Sequence, residues 1–212
     1  MIRKERLFFI FASGISAVIF VFLSYLVNKD VFRAVDYSLM VNLQRLISRG
    51  FDIPFSILSL LGSTEITLVI FGIIFIVVLL RKRHFFLGLF LYFFIFFAEL
   101  LGKIYINNPL PPKIFNRYAL NFHFPSGSLV ETHFSFPSGH MARTSFLAII
   151  LLIFILWSKR KRWQKIFSTI LISLFLLAVF ISRIYLGEHW LSDVLGGLVL
   201  GTGIAFVSLS FW

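Results

Sequence analysis

The sequence predicts an all-α membrane protein whose 212 residues form a single domain, a bundle of six transmembrane helices. The first observation is composition: 59% of the residues are hydrophobic, against about 45–50% in soluble domains. The second is a mean hydropathy of +0.95, with 29 phenylalanines in the chain. The third is that the apolar residues are concentrated in six runs, each close to the ~20 residues that cross a hydrocarbon core.

The predicted spans cover residues 7–27, 55–80, 85–105, 139–157, 166–186 and 191–211. The first run is too long for the apolar region of an ordinary signal peptide, so we expect it to be retained. Between the first two spans, residues 28–50 carry apolar side chains at three-to-four spacing with charged residues between them. This pattern predicts an amphipathic helix that either lies in the membrane interface or packs on the other helices.

Three short basic clusters give the predicted orientation. They lie before the first span, between the second and third, and between the fourth and fifth, and include Arg3, Lys4, Arg6, Arg81, Lys82, Arg83 and Lys159 to Lys165. In a chain of six spans all three fall on one side, which the positive-inside rule assigns to the cytoplasm. Residues 28–54, 106–138 and 187–190 are then outside.

The charge and cysteine content exclude some function classes. The net charge of +11 is explained by basic loops at an inner leaflet, so we expect no nucleic-acid partner. The chain has no cysteine, which excludes disulfides and thiolate metal sites.

Two short stretches place histidines and phosphate-binding groups beside predicted spans. In Phe136–His140, proline, serine and glycine precede an apolar run, a pattern typical of a helix N-terminus, where N–H groups and the helix dipole favour phosphate. In the second stretch His189 and Asp193 are four residues apart and share a helix face. A carboxylate there can hold the imidazole in one tautomer, while the planar guanidinium of Arg183 matches phosphate oxygens.

These residues resemble the type-2 phosphatidic acid phosphatase (PAP2) family, integral membrane lipid phosphatases related to vanadium haloperoxidases. The family carries the motifs K-x6-R-P, P-S-G-H and S-R-x5-H-x3-D. Pro137 to His140 match the second motif at every position. The third motif is matched, with its spacing, by Ser182, Arg183, His189 and Asp193.

The first motif is matched only in part. Lys103 and Pro111 fit, but Leu110 stands at the arginine position. Either the phosphate site has one cation fewer, or another residue supplies it. The candidates are Lys113, Arg117 and Arg143, of which Arg143 lies one helical turn after His140.

The resemblance implies a role for each motif residue. His189 is the nucleophile, Asp193 orients it, and His140 is the general acid for the leaving group. The phosphate-binding residues are Lys103, Ser138, Gly139, Ser182 and Arg183. Arg143, which is not a motif residue, is a candidate for an extra phosphate contact because it lies one helical turn after His140. No metal or other cofactor is implied, because the cationic side chains do the electrostatic work of a metal.

The expected function is therefore metal-independent hydrolysis of a lipid phosphate or diphosphate through a phosphohistidine. The resemblance allows undecaprenyl diphosphate, phosphatidylglycerophosphate, phosphatidic acid or a lipid A phosphate as substrate. The alternatives are a lipid phosphotransferase with the same site and, from another class, a non-enzymatic transporter or haem-binding membrane protein. We expect a bacterial cytoplasmic (inner) membrane, with the site facing the periplasm or exterior.

Overall fold

The computed structural model describes residues 3–81, 85–122, 124 and 134–212. The all-α class is confirmed. The α-helices are α1 (Arg3–Asn28), α2 (Arg33–Leu46), α3 (Asp52–Leu61), α4 (Thr64–Arg81), α5 (Phe86–Leu89), α6 (Tyr92–Tyr105), α7 (Gly139–Trp157), α8 (Arg162–Tyr185) and α9 (Leu191–Leu209). Short 3-10 turns cover Arg49–Phe51 and Lys113–Phe115.

Among the described residues, six helical segments are long and apolar enough to cross a membrane, as the sequence predicts. They are Lys4–Asn28, Thr64–Arg81, Phe86–Tyr105, Gly139–Trp157, Arg162–Tyr185 and Leu191–Leu209. Of the basic residues that the sequence places between the second and third spans, Arg81 ends α4, whereas Lys82 and Arg83 lie outside the described residues.

The structure divides the segment predicted as a span over 55–80. Helix α3 ends at Leu61, and Gly62 lies at its C-cap with its N–H donating to Ser59 O. Glycine is a poor helix former, and the Ser63 hydroxyl accepts from the Ile66 N–H in the first turn of the next helix. Two helices therefore replace one, and the break lies against the functional site described below.

Helix α2 is present, and it packs on α8 and α9. Met40 is fully buried in this contact. Gln44 Nε2 donates to the backbone oxygens of Phe115 at 2.7 Å and Tyr185 at 2.8 Å. The predicted packing of this segment against the other helices is thus present in the structure.

Helices α7 and α9 are closely packed against each other. A Cβ at Gly201 would overlap the backbone oxygen of Ala142, so the two helices approach this closely only because residue 201 has no side chain. The pair is also joined at one end, where the Ser138 N–H donates to Asp193 O at 3.0 Å. This contact brings the first turns of α7 and α9 together.

Candidate active site

The motif residues converge at one end of the bundle. The first turns of α7 and α9 meet the last turns of α6 and α8, and α3 ends beside them. Because consecutive spans run in opposite directions, these four helix ends lie on the same side. The site is thus assembled from segments about ninety residues apart in the chain, Lys103 to Asp193.

His189 and Asp193 form a buried dyad at the start of α9. His189 Nδ1 lies 3.4 Å from Asp193 Oδ2, and the same oxygen accepts from the Trp190 N–H at 3.0 Å. The other oxygen, Oδ1, accepts from Asn108 Nδ2 at 2.7 Å. The carboxylate is fully buried, and its position in the first turn of a helix stabilises its charge.

The dyad sets the protonation of His189. Burial lowers the pKa of its imidazole below the usual value, and the nearby Arg183 lowers it further, while the hydrogen bond with Asp193 opposes the shift. The ring is therefore neutral near neutral pH. Because the carboxylate can only accept, Nδ1 carries the proton and Nε2 keeps its lone pair free for nucleophilic attack.

The residues of the second motif lie at the N-terminus of α7. Ser138 precedes the helix and is fully buried, and its hydroxyl has no hydrogen-bond partner within the described part of the chain. His140 follows in the first turn, where a Cβ at Gly62 would lie 3.3 Å from its ring carbon Cδ2. The α3–α4 break thus leaves room for the imidazole.

Three cations surround this turn, and each faces a carboxylate. Lys103 Nζ lies 2.8 Å from Glu99 Oε1, and Arg143 Nη1 lies 2.5 Å from Glu99 Oε2. Arg183 pairs with Glu188 and also donates to the Ser59 hydroxyl. We call Lys103, Arg143, Arg183 and the first turn of α7 the phosphate cradle.

Several buried polar atoms in the cradle and beside it have no partner among the described residues. They are Ser138 Oγ, Thr144 Oγ1 and the Nε atoms of Arg143 and Arg183. Buried polar groups are normally paired, so this concentration of donors requires an explanation. A ligand with several acceptor oxygens, such as a phosphate, would satisfy them together.

Of the three candidates for the cation missing at Leu110, only Arg143 is placed in the cradle. Leu110 itself is 49% exposed. Arg117 donates to Gln44 O at 2.8 Å and to the Tyr185 hydroxyl at 3.1 Å, and Lys113 is exposed at the start of the 3-10 turn Lys113–Phe115.

Ser182 has a different environment from the other motif residues. It is fully buried, and its hydroxyl donates to Val179 O at 2.7 Å within its own helix.

Sequence reasoning did not find the supporting residues Ser59, Gly62, Asn108 and Glu188. Ser59 and Gly62 lie in an apolar run that reads as one span, and nothing in that run marks them as part of a site. Asn108 lies inside the first motif, and Glu188 directly precedes His189. Their positions in the motifs were the available signal for these two.

Solved structures of similar fold are membrane phosphatases. A PAP2-type phosphatidylglycerolphosphate phosphatase from Bacillus subtilis matches with a TM-score of 0.74 and 21% identity, over 95% of this chain and 96% of that chain. Aquifex aeolicus LpxE matches with a TM-score of 0.60 and 20% identity, over 82% and 94% of the two chains. No curated protein matches significantly.

The PAP2 superfamily model matches residues 82–212, more than half of the chain. The protein therefore belongs to the PAP2 superfamily, and its six long apolar helices are those of an integral membrane protein.

Proposed function

We propose that the protein removes a phosphate or diphosphate group from a membrane lipid without a metal, through a phosphohistidine at His189. The observation that carries this proposal is the set of buried, unpartnered donors beside a neutral His189 whose Nδ1 faces Asp193. The donors fit phosphate oxygens, and the free Nε2 of His189 fits an attack on phosphorus.

The first step is a displacement at phosphorus. The lone pair of His189 Nε2 forms the N–P bond while the bond from phosphorus to the lipid oxygen breaks. His140, protonated at this stage, gives its proton to the leaving oxygen. Asp193 stabilises the charge that His189 acquires. The products of this step are the lipid alcohol, or the lipid monophosphate from a diphosphate, and the phosphoenzyme.

The second step returns the enzyme to its starting state. The now neutral His140 accepts a proton from water, whose oxygen attacks phosphorus as the N–P bond breaks. Inorganic phosphate leaves, and His189 regains its lone pair. Throughout both steps Lys103, Arg143, Arg183 and the Gly139 N–H offset the charge on the equatorial oxygens, the main requirement of phosphoryl transfer.

The substrate class follows from the membrane setting. The similar Bacillus subtilis protein is a phosphatidylglycerolphosphate phosphatase, and the candidate substrates here are phosphatidylglycerophosphate, undecaprenyl diphosphate, phosphatidic acid and lipid A phosphate. A panel of these four, assayed for released phosphate with and without an acceptor lipid, identifies the substrate. The acceptor arm also separates hydrolysis from phosphotransfer.

The roles of the two histidines are tested by changing the leaving group. His189→Ala removes the nucleophile and is expected to abolish hydrolysis of every substrate. His140→Ala removes the proton donor, so it should recover much of its rate with nitrophenyl phosphate, whose acidic leaving group needs little protonation. Rescue in His189→Ala alone would exchange the roles, and equal loss for both substrates in both variants would reject the assignment.

Metal independence has a direct test. The cradle supplies three cations, which can offset the charge that a metal would otherwise offset. Hydrolysis is expected to persist in excess EDTA. Activity that disappears on chelation and returns with magnesium would contradict this part of the proposal.

We also propose that the site faces the exterior, on the evidence of the basic loops. Lys161 and Arg162 lie at the start of α8, whereas Arg183 lies at its end, so the basic cluster and the site are on opposite sides. A cysteine placed at Asn116 is expected to react with an impermeant thiol reagent on intact cells, and one at Lys161 is not. The reverse labelling would overturn the orientation.

A further inference from the structure

Glu99 lies among the phosphate-binding groups, although the proposed mechanism gives it no step. It is on α6, one helical turn before Lys103. Its Oε1 lies 2.8 Å from Lys103 Nζ, and its Oε2 lies 2.5 Å from Arg143 Nη1. The Glu99 side chain is 13% exposed and that of Arg143 is 4% exposed. One carboxylate therefore engages two of the three cations of the cradle.

The carboxylate also lies against the first residue of α7. A Cβ at Gly139 would overlap both Glu99 oxygens, so the carboxylate occupies space that only glycine leaves open. This is the end of the helix where the dipole and the free N–H groups favour an anion. The Glu99 carboxylate therefore lies at or next to the position where a phosphate is expected to bind.

A carboxylate and a phosphate repel each other at such distances, and both seek the same cations. We propose that Glu99 is a specificity-determining residue: its carboxylate competes with the phosphoryl group for Lys103 and Arg143, and so sets the anion affinity of the cradle. The inference rests on the proposed function, because it assumes that phosphate binds in this cradle.

The competition from Glu99 predicts which ligand charge the cradle prefers. Lys103, Arg143 and Arg183 carry three positive charges, while Glu99 and Glu188 carry two negative charges, which leaves one net positive charge. Repulsion from Glu99 grows with the charge of the ligand. Glu99 therefore weakens the binding of diphosphate groups more than that of single phosphates, and it helps free phosphate to leave after each turnover.

The test measures the inhibition constants of inorganic phosphate and methylenediphosphonate, which has no hydrolysable bridge. The full chain is used in detergent, with nitrophenyl phosphate as substrate and nitrophenolate absorbance as readout. Glu99→Gln is expected to bind phosphate about tenfold more tightly than the wild type, because one nearby negative charge is removed. The diphosphonate is expected to gain by a larger factor.

Asp30→Asn is the matched control. Asp30 is exposed and has a φ of 57°, a conformation that asparagine adopts readily. The variant makes the same change of net charge as Glu99→Gln, outside the cradle, and is expected to leave both inhibition constants unchanged. A gain in Asp30→Asn equal to that in Glu99→Gln would overturn the local competition.

Weaker or unchanged phosphate binding in Glu99→Gln would also overturn the inference. Weaker binding would make Glu99 a positioning residue for the two cations. If Glu99→Gln does not fold, Glu99→Asp provides the same test, because the shorter side chain moves the carboxylate away from Lys103 and Arg143 by the length of one methylene. A smaller gain in phosphate affinity is then expected, and the absence of any gain overturns the inference. A wild-type protein that hydrolyses no phosphate ester would overturn the proposed function itself, and this inference with it.

Discussion

Helices α7 and α9 differ from α1 and α8 in how much of each is buried. Of the most hydropathic stretch of each helix, 50% is buried in α7 and 56% in α9, but only 11% in α1 and in α8. The buried helices are also the shorter ones, with 19 residues each against 26 in α1 and 24 in α8. They are the less hydropathic ones as well, with mean hydropathies of 1.9 and 1.6 against 2.5 and 2.3. In a bilayer, where lipid is as apolar as leucine, helices associate through close packing of small residues rather than through hydrophobicity. Gly197 and Gly201 supply that packing in α9.

The difference extends into the site. Asp193 begins the packed helix α9 and is fixed by backbone and side-chain bonds from Ser138, Trp190 and Asn108. Arg183 ends the more exposed helix α8, and its guanidinium is fixed by contacts with the side chains of Ser59 and Glu188. Asp193 is thus positioned by the core of the fold, whereas Arg183 is positioned by individual side-chain contacts.

The largest effect is expected from breaking the packed pair. In Gly201→Val, the new side chain would overlap Ala142 O and push α9 away from α7. A displacement of about 1 Å at the dyad costs about a hundredfold in rate, so activity should fall at least that far. Released phosphate and the yield of folded protein in detergent measure the effect.

Gly72→Val in α4 is the matched control, because a Cβ at Gly72 meets no atom within 4 Å. It is expected to keep wild-type activity and yield. Equal losses in the two variants would mean that valine harms any transmembrane helix of this protein, and that the packing of α7 on α9 is not special.

A smaller effect is expected at Asn108, which supports Asp193 from the loop after α6. Asn108→Ala removes a 2.7 Å hydrogen bond to a fully buried carboxylate. Loss of a partner that orients a catalytic group typically costs about 10–100-fold. The loss should appear in kcat, with KM for nitrophenyl phosphate little changed, because Asn108 does not contact the cradle cations. A change confined to KM would contradict the positioning role.

The helices were predictable because length and hydropathy define a span. The sequence therefore indicates α1 and α8 as clearly as α7 and α9, but it does not show which of them are buried. The break at Gly62 was missed since a glycine within an apolar run is common in transmembrane helices. Its place beside the site appears only in the structure, where a Cβ at residue 62 would lie 3.3 Å from both His140 and Thr144.

The site was predictable where the motifs are contiguous in sequence. Spacing places His189 and Asp193 on one helix face, and the structure shows them 3.4 Å apart. The chain pattern shows that Lys103 follows Glu99 by one turn, but not that Arg143 approaches the same carboxylate from another helix. Such contacts depend on tertiary packing, which no local pattern records.

The pH dependence of the hydrolysis rate tests the roles assigned to His189 and Asp193. The pKa of His189 is lowered by burial, and the neutral imidazole is the proposed nucleophile. The proposed need for a protonated His140 limits the rate on the alkaline side. On the acid side, because His189 must be neutral, the rate at low substrate should fall about tenfold per pH unit, beginning only below the ordinary histidine pKa of about 6.5. Asp193→Asn removes the contact that opposes the shift, so the fall in its residual activity should move to lower pH. A shift to higher pH would contradict the assigned role of Asp193.

The smallest effect is expected from substitution of Ser59, whose hydroxyl accepts a hydrogen bond from Arg183 at the end of the exposed helix α8. Ser59 is 3% exposed, and its hydroxyl lies between Arg183 and Glu188. Ser59→Ala leaves the Arg183–Glu188 pair in place, so about 1 kcal/mol of cradle stabilisation is lost, equivalent to about a fivefold rise in KM. Ser56→Ala, on the same helix, is the control, since its hydroxyl bonds to Asp52 O and the Ala119 N–H instead. A rise in KM restricted to Ser59→Ala would show that α3 positions Arg183, whereas equal rises in both variants would show only that α3 must be intact.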